Sequence, residues 1–248
     1  MREFAAIVLA AGKGERLRRG IVKVDLPKVL IPILGRPMIA YLLDAIRAAG
    51  VENLTLIVGY KADKVRAVLG EGYRYVLQER QLGSGHAVLC AKEALTGASE
   101  HVLVFCGDSP LFTSDTIRAL AEYHCTNGAT ITLAWAMPDD PSGYGRILRN
   151  ADGRIIAIVE EKGVGEDIEA VREVNGGVYV FRAAWLWANI ERMRLNAAGE
   201  LNLTDLVEIA ISDGESVDAY PCDAAQILGV NTYEQLSEVE RLLISNIS

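Results

Sequence analysis

The sequence predicts an α/β fold, with a mainly parallel, mixed sheet of Rossmann type and helices on both faces. Three observations predict it: apolar runs of strand length alternate with segments of helical periodicity, glycine turns follow several of those runs, and half of the residues are hydrophobic. Such alternation favours a parallel sheet, because each connecting helix packs on one face of it. At 248 residues the chain is long enough to bury a full core.

The first half of the chain shows the clearest alternation. Its first predicted helix begins after Pro37 and ends before Gly50, residue types that helices prefer at these two ends. Thr113 or Ser114 is the predicted N-cap of a later helix. The predicted strands are 4–9, 54–58, 73–77, 102–106 and 129–136, and the predicted helices are 38–49, 63–69, 85–95 and 114–125.

The pattern changes after Pro138. Two predicted strands, 145–148 and 155–160, flank Asn150-Ala151-Asp152-Gly153, a sequence typical of a hairpin turn. A hairpin between these two strands is therefore expected. The other elements predicted after Pro138 are strands at 174–181, near Val217 and at 226–229, and helices at 183–193, 203–212 and 232–244.

Composition excludes several classes of protein. The net charge of -8 argues against a general nucleic-acid binder, which needs a broad basic surface. No apolar stretch is long enough to span a bilayer and the N-terminus lacks the layout of a secretory signal, so we predict a cytoplasmic protein without a membrane partner. The four cysteines show no paired spacing and are predicted to be reduced thiols, and the three histidines lack metal-ligand spacing.

Positive charge is concentrated in one short segment after the first predicted strand. Two glycines, Gly12 and Gly14, lie at its start, where open α/β sheets bind their ligands. Because glycine has no side chain, the backbone N–H groups there can approach a phosphate. The cations of the segment are Lys13, Arg16, Arg18, Arg19, Lys23 and Lys28, interrupted by only two acids, Glu15 and Asp25.

This segment matches neither of two established phosphate-binding motifs. A dinucleotide fingerprint needs a third glycine where Leu17 stands, and a P-loop needs a Gly-Lys-Ser/Thr sequence that is missing. Arg16 can still offer a planar fork to phosphate oxygens, and Lys28 a mobile point charge. On these residues alone, a phosphate-binding turn and a solvated basic loop are equally compatible with the sequence.

A wider set of motifs resembles one family. Leu9-Ala10-Ala11-Gly12-Lys13-Gly14-Glu15-Arg16, followed by Leu26-Pro27-Lys28, is similar to the opening motif of nucleotidyltransferases that activate sugar phosphates. The likeness is strongest to the uridylyltransferase domain of bacterial N-acetylglucosamine-1-phosphate uridylyltransferases, and eight motifs occur in the family's order. The other seven are Gln78 with Gln81-Leu82-Gly83-Ser84-Gly85-His86-Ala87, Gly107-Asp108-Ser109-Pro110-Leu111, Gly143-Tyr144-Gly145-Arg146, Val159-Glu160-Glu161-Lys162, Val174-Asn175-Gly176-Gly177, Leu203-Thr204-Asp205 and Gly229-Val230-Asn231.

The resemblance implies a nucleotide-diphospho-sugar transferase type of fold and a transfer reaction. A nucleotidyl group passes from a nucleoside triphosphate to a sugar-1-phosphate, and pyrophosphate leaves. Because several phosphate charges meet, catalysis depends mainly on positioning and charge neutralisation. By resemblance, Lys13 and Arg16 hold the leaving pyrophosphate, and Lys28 bridges the α-phosphate and the sugar phosphate. Asp108 and Asn231 would hold Mg²⁺, an ion that takes further ligands from water and phosphates.

The resemblance also divides the chain, taken as one domain over residues 1–248, into two halves. The nucleotide-binding half covers about 1–136 and the sugar-binding half about 137–248. Amide groups suit a pyrimidine edge, and a buried carboxylate or amide needs hydroxyl or acetamido partners. The residues that the resemblance assigns to the nucleotide are Leu9, Ala10, Ala11, Gly12, Lys13, Gly14, Gln78, Gln81, Gly83 and Ser84, and those assigned to the sugar are Gly145, Glu160, Asn175 and Thr204.

The sequence departs from the family's pattern at several positions. The segment between Arg16 and Leu26 is several residues longer, and Ser84, Cys106 and Gly176 stand where threonine, tyrosine and threonine are common. No hexapeptide repeat is present. We therefore expect neither the acetyltransferase activity of bifunctional members nor the trimer built on their left-handed β-helix. The sequence leaves the oligomeric state otherwise open.

The expected reaction makes UDP-N-acetylglucosamine from UTP and N-acetylglucosamine-1-phosphate. One alternative is the same chemistry on glucose-1-phosphate or mannose-1-phosphate with UTP, dTTP or GTP, or a cytidylyltransferase acting on a small phosphate ester. Another is a catalytically silent sensor of sugar nucleotides. His86, near the proposed base site, is interpreted as a capping or packing residue and not as a catalyst.

Overall fold

A computed structural model describes residues 1–15, 17 and 25–245 of the chain. No helix in this described part is both long and apolar enough to cross a membrane. Short 3₁₀ turns occupy Lys28–Leu30, Glu161–Gly163 and Ile190–Arg192. The strands are β1 (Phe4–Ala10), β2 (Pro32–Ile33), β3 (Arg36–Pro37), β4 (Asn53–Val58), β5 (Arg74–Leu77), β6 (His101–Cys106), β7 (Ile131–Ala136), β8 (Arg146–Arg149), β9 (Ile155–Val159), β10 (Val174–Arg182) and β11 (Val217–Pro221). The helices are α1 (Met38–Ala48), α2 (Ala62–Leu69), α3 (Ser84–Cys90), α4 (Lys92–Leu95), α5 (Ser114–Asn127), α6 (Glu166–Glu169), α7 (Ala183–Asn189), α8 (Asp205–Ser212) and α9 (Tyr233–Ser245).

One mixed sheet runs through the molecule in the strand order β11-β7-β10-β6-β1-β4-β5. β1 pairs in parallel with both β4 and β6, so that Ile7 lies opposite Thr55 on one side and Val104 on the other. β10 is antiparallel to β6 and to β7, and the β8–β9 hairpin joins the sheet through β10. The mainly parallel, mixed sheet predicted from the sequence is confirmed.

Side chains that alternate along β1 belong to two separate cores. Val8 packs in the layer that contains Leu42 of α1, whereas Ile7 packs in the layer that contains Val88 of α3 and Leu186 of α7. Successive side chains of a strand point to opposite faces, and helices cover both faces here. This arrangement explains why β1 is a continuous apolar run.

A third, smaller core joins distant parts of the chain. Ile31 and Met38, which flank the β2–β3 hairpin, pack with Leu236 and Val239 of α9. All four side chains are at most 7% exposed. The packing fixes the C-terminal helix beside the segment that carries Lys28.

Three predicted elements differ from the structure. The helix predicted at 183–193 ends at Asn189 and is followed by the 3₁₀ turn Ile190–Arg192. The helix predicted at 85–95 is interrupted at Ala91 and forms α3 and α4. The strand predicted at 226–229 is wrong, because the segment that leads into it forms turns. Asp223 Oδ1 accepts the N–H of Ala225 at 2.7 Å. An aspartate side chain that bonds the backbone two residues on favours a turn over a sheet ladder.

Two histidines, the buried His124 and the half-buried His101, are in contact between α5 and the sheet. His124 is 0% exposed; its Nδ1 lies 2.8 Å from Thr132 Oγ1 and its Nε2 lies 3.1 Å from His101 Nδ1. Burial, with the neighbouring His101 and Arg182, lowers the pKa of His124 to about 4, and burial also lowers the pKa of His101. Both imidazoles are therefore neutral in the folded protein at neutral pH.

This pair should make the fold sensitive to mild acid. An unfolded histidine takes up a proton near pH 6.5, whereas folded His124 does so only near pH 4. The unfolded state thus binds more protons in this window, and the free energy of unfolding should fall by about 3 kcal/mol as the pH drops from 7 to 4. Urea unfolding between pH 7 and pH 4 would measure the loss.

His124→Asn is the matched control, because asparagine can keep a hydrogen bond to Thr132 Oγ1 but cannot titrate. The variant should be less stable at pH 7 and should show a smaller loss of stability between pH 6.5 and pH 4. An unchanged slope would contradict the assignment of the acid sensitivity to His124.

Candidate active site

A cleft of about 280 Å³ opens at the carboxyl ends of β1, β5 and β6. These three strands are parallel, so the residues that follow them meet at one edge of the sheet. Glu200, which the sequence did not single out, also lines the cleft. The residues singled out in the sequence that line it are Leu9, Ala11, Gly12, Lys28, Gln78, Gln81, Gly83, Ser84, Cys106 and Asp108.

Lys28 occupies the centre of a small polar cluster in this cleft. The residue is only 9% exposed, and the 3₁₀ turn after Pro27 directs it inward. Its Nζ donates to Asn231 Oδ1 at 2.8 Å and forms a short ion pair with Asp108 Oδ2. A carboxylate oxygen and an amide oxygen, from distant parts of the sequence, therefore converge on one cation.

Backbone hydrogen bonds bring Asp108 and Asn231 together. The N–H of Val230 donates to the carbonyl of Asp108 at 2.9 Å. The N–H of Asn231 donates to Gln235 Oε1 at 2.7 Å, and the N–H of Gln235 donates to Thr232 Oγ1 at 3.3 Å. Thr232 and Gln235 thus form a capping box at the start of α9. The cap orders the residues just before the helix, which include Asn231.

Gly14 packs directly against Lys28. Its φ is +64°, and a Cβ placed on it would lie 2.6 Å from Lys28 Cβ. A Cβ on Gly12 would meet no described atom within 4 Å. The two glycines therefore differ: Gly14 is required by the packing of Lys28, whereas Gly12 leaves open space beside the cleft.

Alanine substitutions should separate these two roles. Gly14→Ala should lower the free energy of unfolding by about 1–2 kcal/mol, because it forces a positive φ on a residue with a side chain and displaces Lys28. Gly12→Ala should leave stability within about 0.5 kcal/mol of the original. Chemical unfolding of the two variants would test this, and equal stabilities would contradict it.

The other side of the cleft is built on Gln78 and a glycine turn. Gln78 is 3% exposed, and its Nε2 lies 3.1 Å from Gly83 O and 3.0 Å from His86 Nδ1. Gln81 Nε2 donates to the carbonyl of Gln78 at 3.2 Å. These bonds hold both glutamines at the cleft wall.

The glycine turn is also held by a distant segment. The N–H of Leu201 donates to Leu82 O at 2.8 Å, and Leu201 O accepts the N–H of Gly85 at 2.9 Å. A Cβ on Gly83 would lie 2.4 Å from Leu201 O, so only glycine fits there. Ser84 Oγ accepts the N–H of Leu203 at 3.0 Å. Sequence reasoning missed this contact, because Leu201 acts through its backbone and leaves no signal in its residue type.

The four residues assigned to the sugar form two hydrogen-bonded pairs, Glu160 with Thr204 and Gly145 with Asn175. None of the four is among the described residues that line the cleft. Thr204 Oγ1 donates to Glu160 Oε1 at 2.8 Å. Asn175 donates its backbone N–H to Gly145 O at 2.9 Å. Its side chain is fixed from both ends, because Nδ2 donates to Tyr179 Oη at 2.6 Å and Oδ1 accepts the N–H of Gly177 at 3.1 Å.

Cys106 lies between the cleft and these pairs. It lines the cleft, and its Sγ is 3.7 Å from Gly177 O. Burial, with the negative charges of Asp108 and Glu160 and against the charge of Lys28, raises the pKa of Cys106 to about 12. The thiol is therefore neutral, and it contacts the backbone at Gly177 without adding charge to the cleft.

The remaining predicted site residues are placed differently. Ala10 is buried in β1 and Lys13 is exposed beside the cleft without lining it. Arg16 lies outside the described residues, as does most of the extended segment between it and Leu26.

Comparisons with known proteins identify a family model, curated relatives and a solved structure that are similar to this chain. A family model described as nucleotidyl transferase matches residues 5–238. The chain is 42% identical over 243 residues to the bifunctional protein GlmU of Pelotomaculum thermopropionicum, which covers 97% of this chain and 52% of that protein. It is 42% identical over 252 residues to the bifunctional protein GlmU of Geobacter metallireducens, covering 100% of this chain and 52% of the relative. The chain spans about half the length of the curated relatives it matches.

A solved structure shares the fold. It is a putative glucose-1-phosphate thymidylyltransferase from Bacillus anthracis in complex with a sucrose, with a TM-score of 0.80 at 22% sequence identity. The match covers 96% of this chain and 94% of that one. Both the mixed sheet and the helices around it are therefore features of a known architecture.

Proposed function

This chain belongs to the nucleotidyl transferase family, and from that membership we propose that it makes UDP-N-acetylglucosamine and pyrophosphate from UTP and N-acetylglucosamine-1-phosphate. A phosphate oxygen of the sugar phosphate attacks the α-phosphorus of UTP in line. The new P–O bond forms as the bond to the β-phosphate bridging oxygen breaks, and that oxygen leaves with the electron pair as pyrophosphate. The protein's task is to align the two phosphates and to neutralise their charge.

The convergence of Lys28, Asp108 and Asn231 carries this proposal. It places a nearly buried ammonium group on the floor of a cleft, beside the open space at Gly12. Two phosphates that react there would take Lys28 as a shared cation, in place of part of its contact with Asp108. A preorganised charge of this kind stabilises the transition state more than a solvated one.

The same oxygens fit Mg²⁺. Asp108 and Asn231 already direct a carboxylate and an amide oxygen at one cation, and hard oxygen donors are the ligands that Mg²⁺ takes. The described residues contain no cluster of three or more His, Cys, Asp or Glu side chains able to hold a metal. The ion's other ligands would therefore be water and substrate phosphates. When bound, it would neutralise phosphate charge beside Lys28.

The two halves of the chain would hold the two substrates. In the half up to about residue 136, the turn after β1 would take the phosphates, with Arg16 and Lys13 on the pyrophosphate. The cleft wall of Gln78, Gln81, Gly83 and Ser84 would take the base. In the half from about residue 137, Gly145, Glu160, Asn175 and Thr204 would take the sugar, and the enzyme would act in the cytoplasm.

Pyrophosphate release, measured over a matrix of nucleoside triphosphates and sugar-1-phosphates with and without Mg²⁺, tests the proposal. The expected result is fastest turnover with UTP and N-acetylglucosamine-1-phosphate, and none without a divalent ion. Faster turnover with another pair would reassign the substrates and keep the reaction. No turnover with any pair, together with binding of sugar nucleotides, would favour a silent sensor.

A further inference from the structure

One imidazole beside the cleft interacts with a residue that lines it. His86, in the first turn of α3, does not itself line the cleft in the described part of the chain. Its Nδ1 lies 3.0 Å from Nε2 of Gln78, which does line the cleft. Any influence of His86 on a ligand must therefore pass through Gln78.

The contacts of Gln78 fix the orientation of its amide. The atom that approaches His86 also lies 3.1 Å from the carbonyl oxygen of Gly83. A carbonyl oxygen only accepts hydrogen bonds, so this atom must be the amide nitrogen, and an amide oxygen there would be repelled. One of its two N–H groups donates to Gly83 O and the other to His86 Nδ1. His86 must then present a lone pair at Nδ1 and hold its proton on Nε2.

This arrangement leaves the amide oxygen of Gln78 for a ligand. No described donor contacts Oε1, and Gln78 lines the cleft, so a ligand bound there can donate a hydrogen bond to this oxygen. A Gln78 side chain held in this way offers an acceptor and no donor. It therefore favours a base that has an N–H group at the centre of its pairing edge.

We propose that His86 is a positioning residue that selects the base by holding the Gln78 amide with its oxygen facing the cleft. The inference rests on the proposed function, and it deepens the assignment of the base site. Uracil carries an N3–H donor at this edge, whereas cytosine carries an N3 acceptor. The site thus accepts UTP, and CTP meets two opposed lone pairs.

Removal of the acceptor at His86 should release the amide. In His86→Leu, only the bond to Gly83 O still holds the Gln78 amide, so the rotation that presents its nitrogen to cytosine costs one hydrogen bond less. The ratio of kcat/KM for UTP to that for CTP should fall by about 10- to 100-fold, the range expected for the loss of one oriented buried hydrogen bond. A residue that serves packing alone would lower both values and leave their ratio unchanged.

Two further variants complete the test. His86→Asn keeps an acceptor oxygen close to the position of Nδ1 and should restore most of the ratio. Cys90→Ala is the matched control, because Cys90 Sγ lies 3.9 Å from the same nitrogen but does not contact Gln78, and its ratio should equal that of the original protein. Both measurements use the purified chain with N-acetylglucosamine-1-phosphate and Mg²⁺.

The outcomes separate the inference from the proposed function. An unchanged ratio in His86→Leu, in a protein that otherwise turns over UTP, would overturn the role of His86 alone. A preference of the original protein for CTP would also overturn it. Absence of turnover by the original protein with either nucleotide would count against the proposed function, and calorimetric binding of UTP and CTP to the same variants would then decide the role of His86.

Discussion

Replacing Lys28 by alanine should lower kcat by about 100- to 1,000-fold while leaving the fold intact. The ammonium group is nearly buried between Asp108 and Asn231, so no water shell screens it as it would a surface lysine. Its charge stabilises the transition state, in which the two phosphates meet, more than it stabilises the bound substrates. Its loss should therefore lower kcat more than it raises KM. Initial rates of pyrophosphate release at saturating substrates would measure the effect.

The chain offers a matched lysine as a control. Lys92 forms an exposed ion pair with Glu191 at 2.7 Å, away from the cleft. Lys92→Ala should retain nearly the original kcat, because exposed ion pairs contribute little. Far-ultraviolet circular dichroism would verify that Lys28→Ala is folded. A folded Lys28→Ala protein with the original kcat would refute the catalytic assignment.

Asp108→Asn should raise the Mg²⁺ concentration needed for half-maximal activity and lower the rate at fixed Mg²⁺ by about 100-fold or more. The substitution keeps the size of the side chain and removes its negative charge, which is the strongest ligand this cluster offers to the ion. Asparagine can still accept from Lys28, so packing should be preserved. Initial rates over a Mg²⁺ titration would measure both quantities.

Asp115→Asn serves as the carboxylate control. Asp115 lies in the first turn of α5 and is paired with Arg118, in an exposed position outside the cleft. Its Mg²⁺ dependence should match that of the original protein. If Asp108→Asn showed the same Mg²⁺ dependence as the original protein and Asp115→Asn, Asp108 would not be a ligand of the proposed metal site.

The sequence was informative wherever the signal was local or periodic. The β1 run and the amphipathic α1 lie within one residue of the predicted bounds, and Thr113 caps α5 through a hydrogen bond from the N–H of Thr116 at 3.2 Å. The β2–β3 hairpin escaped prediction, because two-residue strands are too short to show alternation. Its turn places Leu34 at a φ of 48°, a left-handed conformation that is not predicted for leucine.

The site was predictable only in part, for a different physical reason. Lys28 and Asp108 carry charges in recognisable motifs, and the structure brings them together as ion-pair partners. The contacts of Leu201 and His86 depend on which backbone or ring atoms meet after folding. No periodicity or composition reports such long-range pairing. The interpretation of His86 as a cap or packing residue therefore missed its contact with Gln78.

The contact between Leu201 and the glycine turn limits how this fold can be cut and recombined. The turn supplies the cleft wall from residues 82–85, but among the described residues the carbonyl of Leu82 and the N–H of Gly85 are both bonded to Leu201, and Ser84 is bonded to Leu203. A fragment that ended near residue 136 would retain every side chain assigned to the base and lose the partners that shape them. The first half alone therefore cannot keep the shape of the base site. A chimera that transfers base specificity between relatives has to exchange residues 82–85 and 201–203 together.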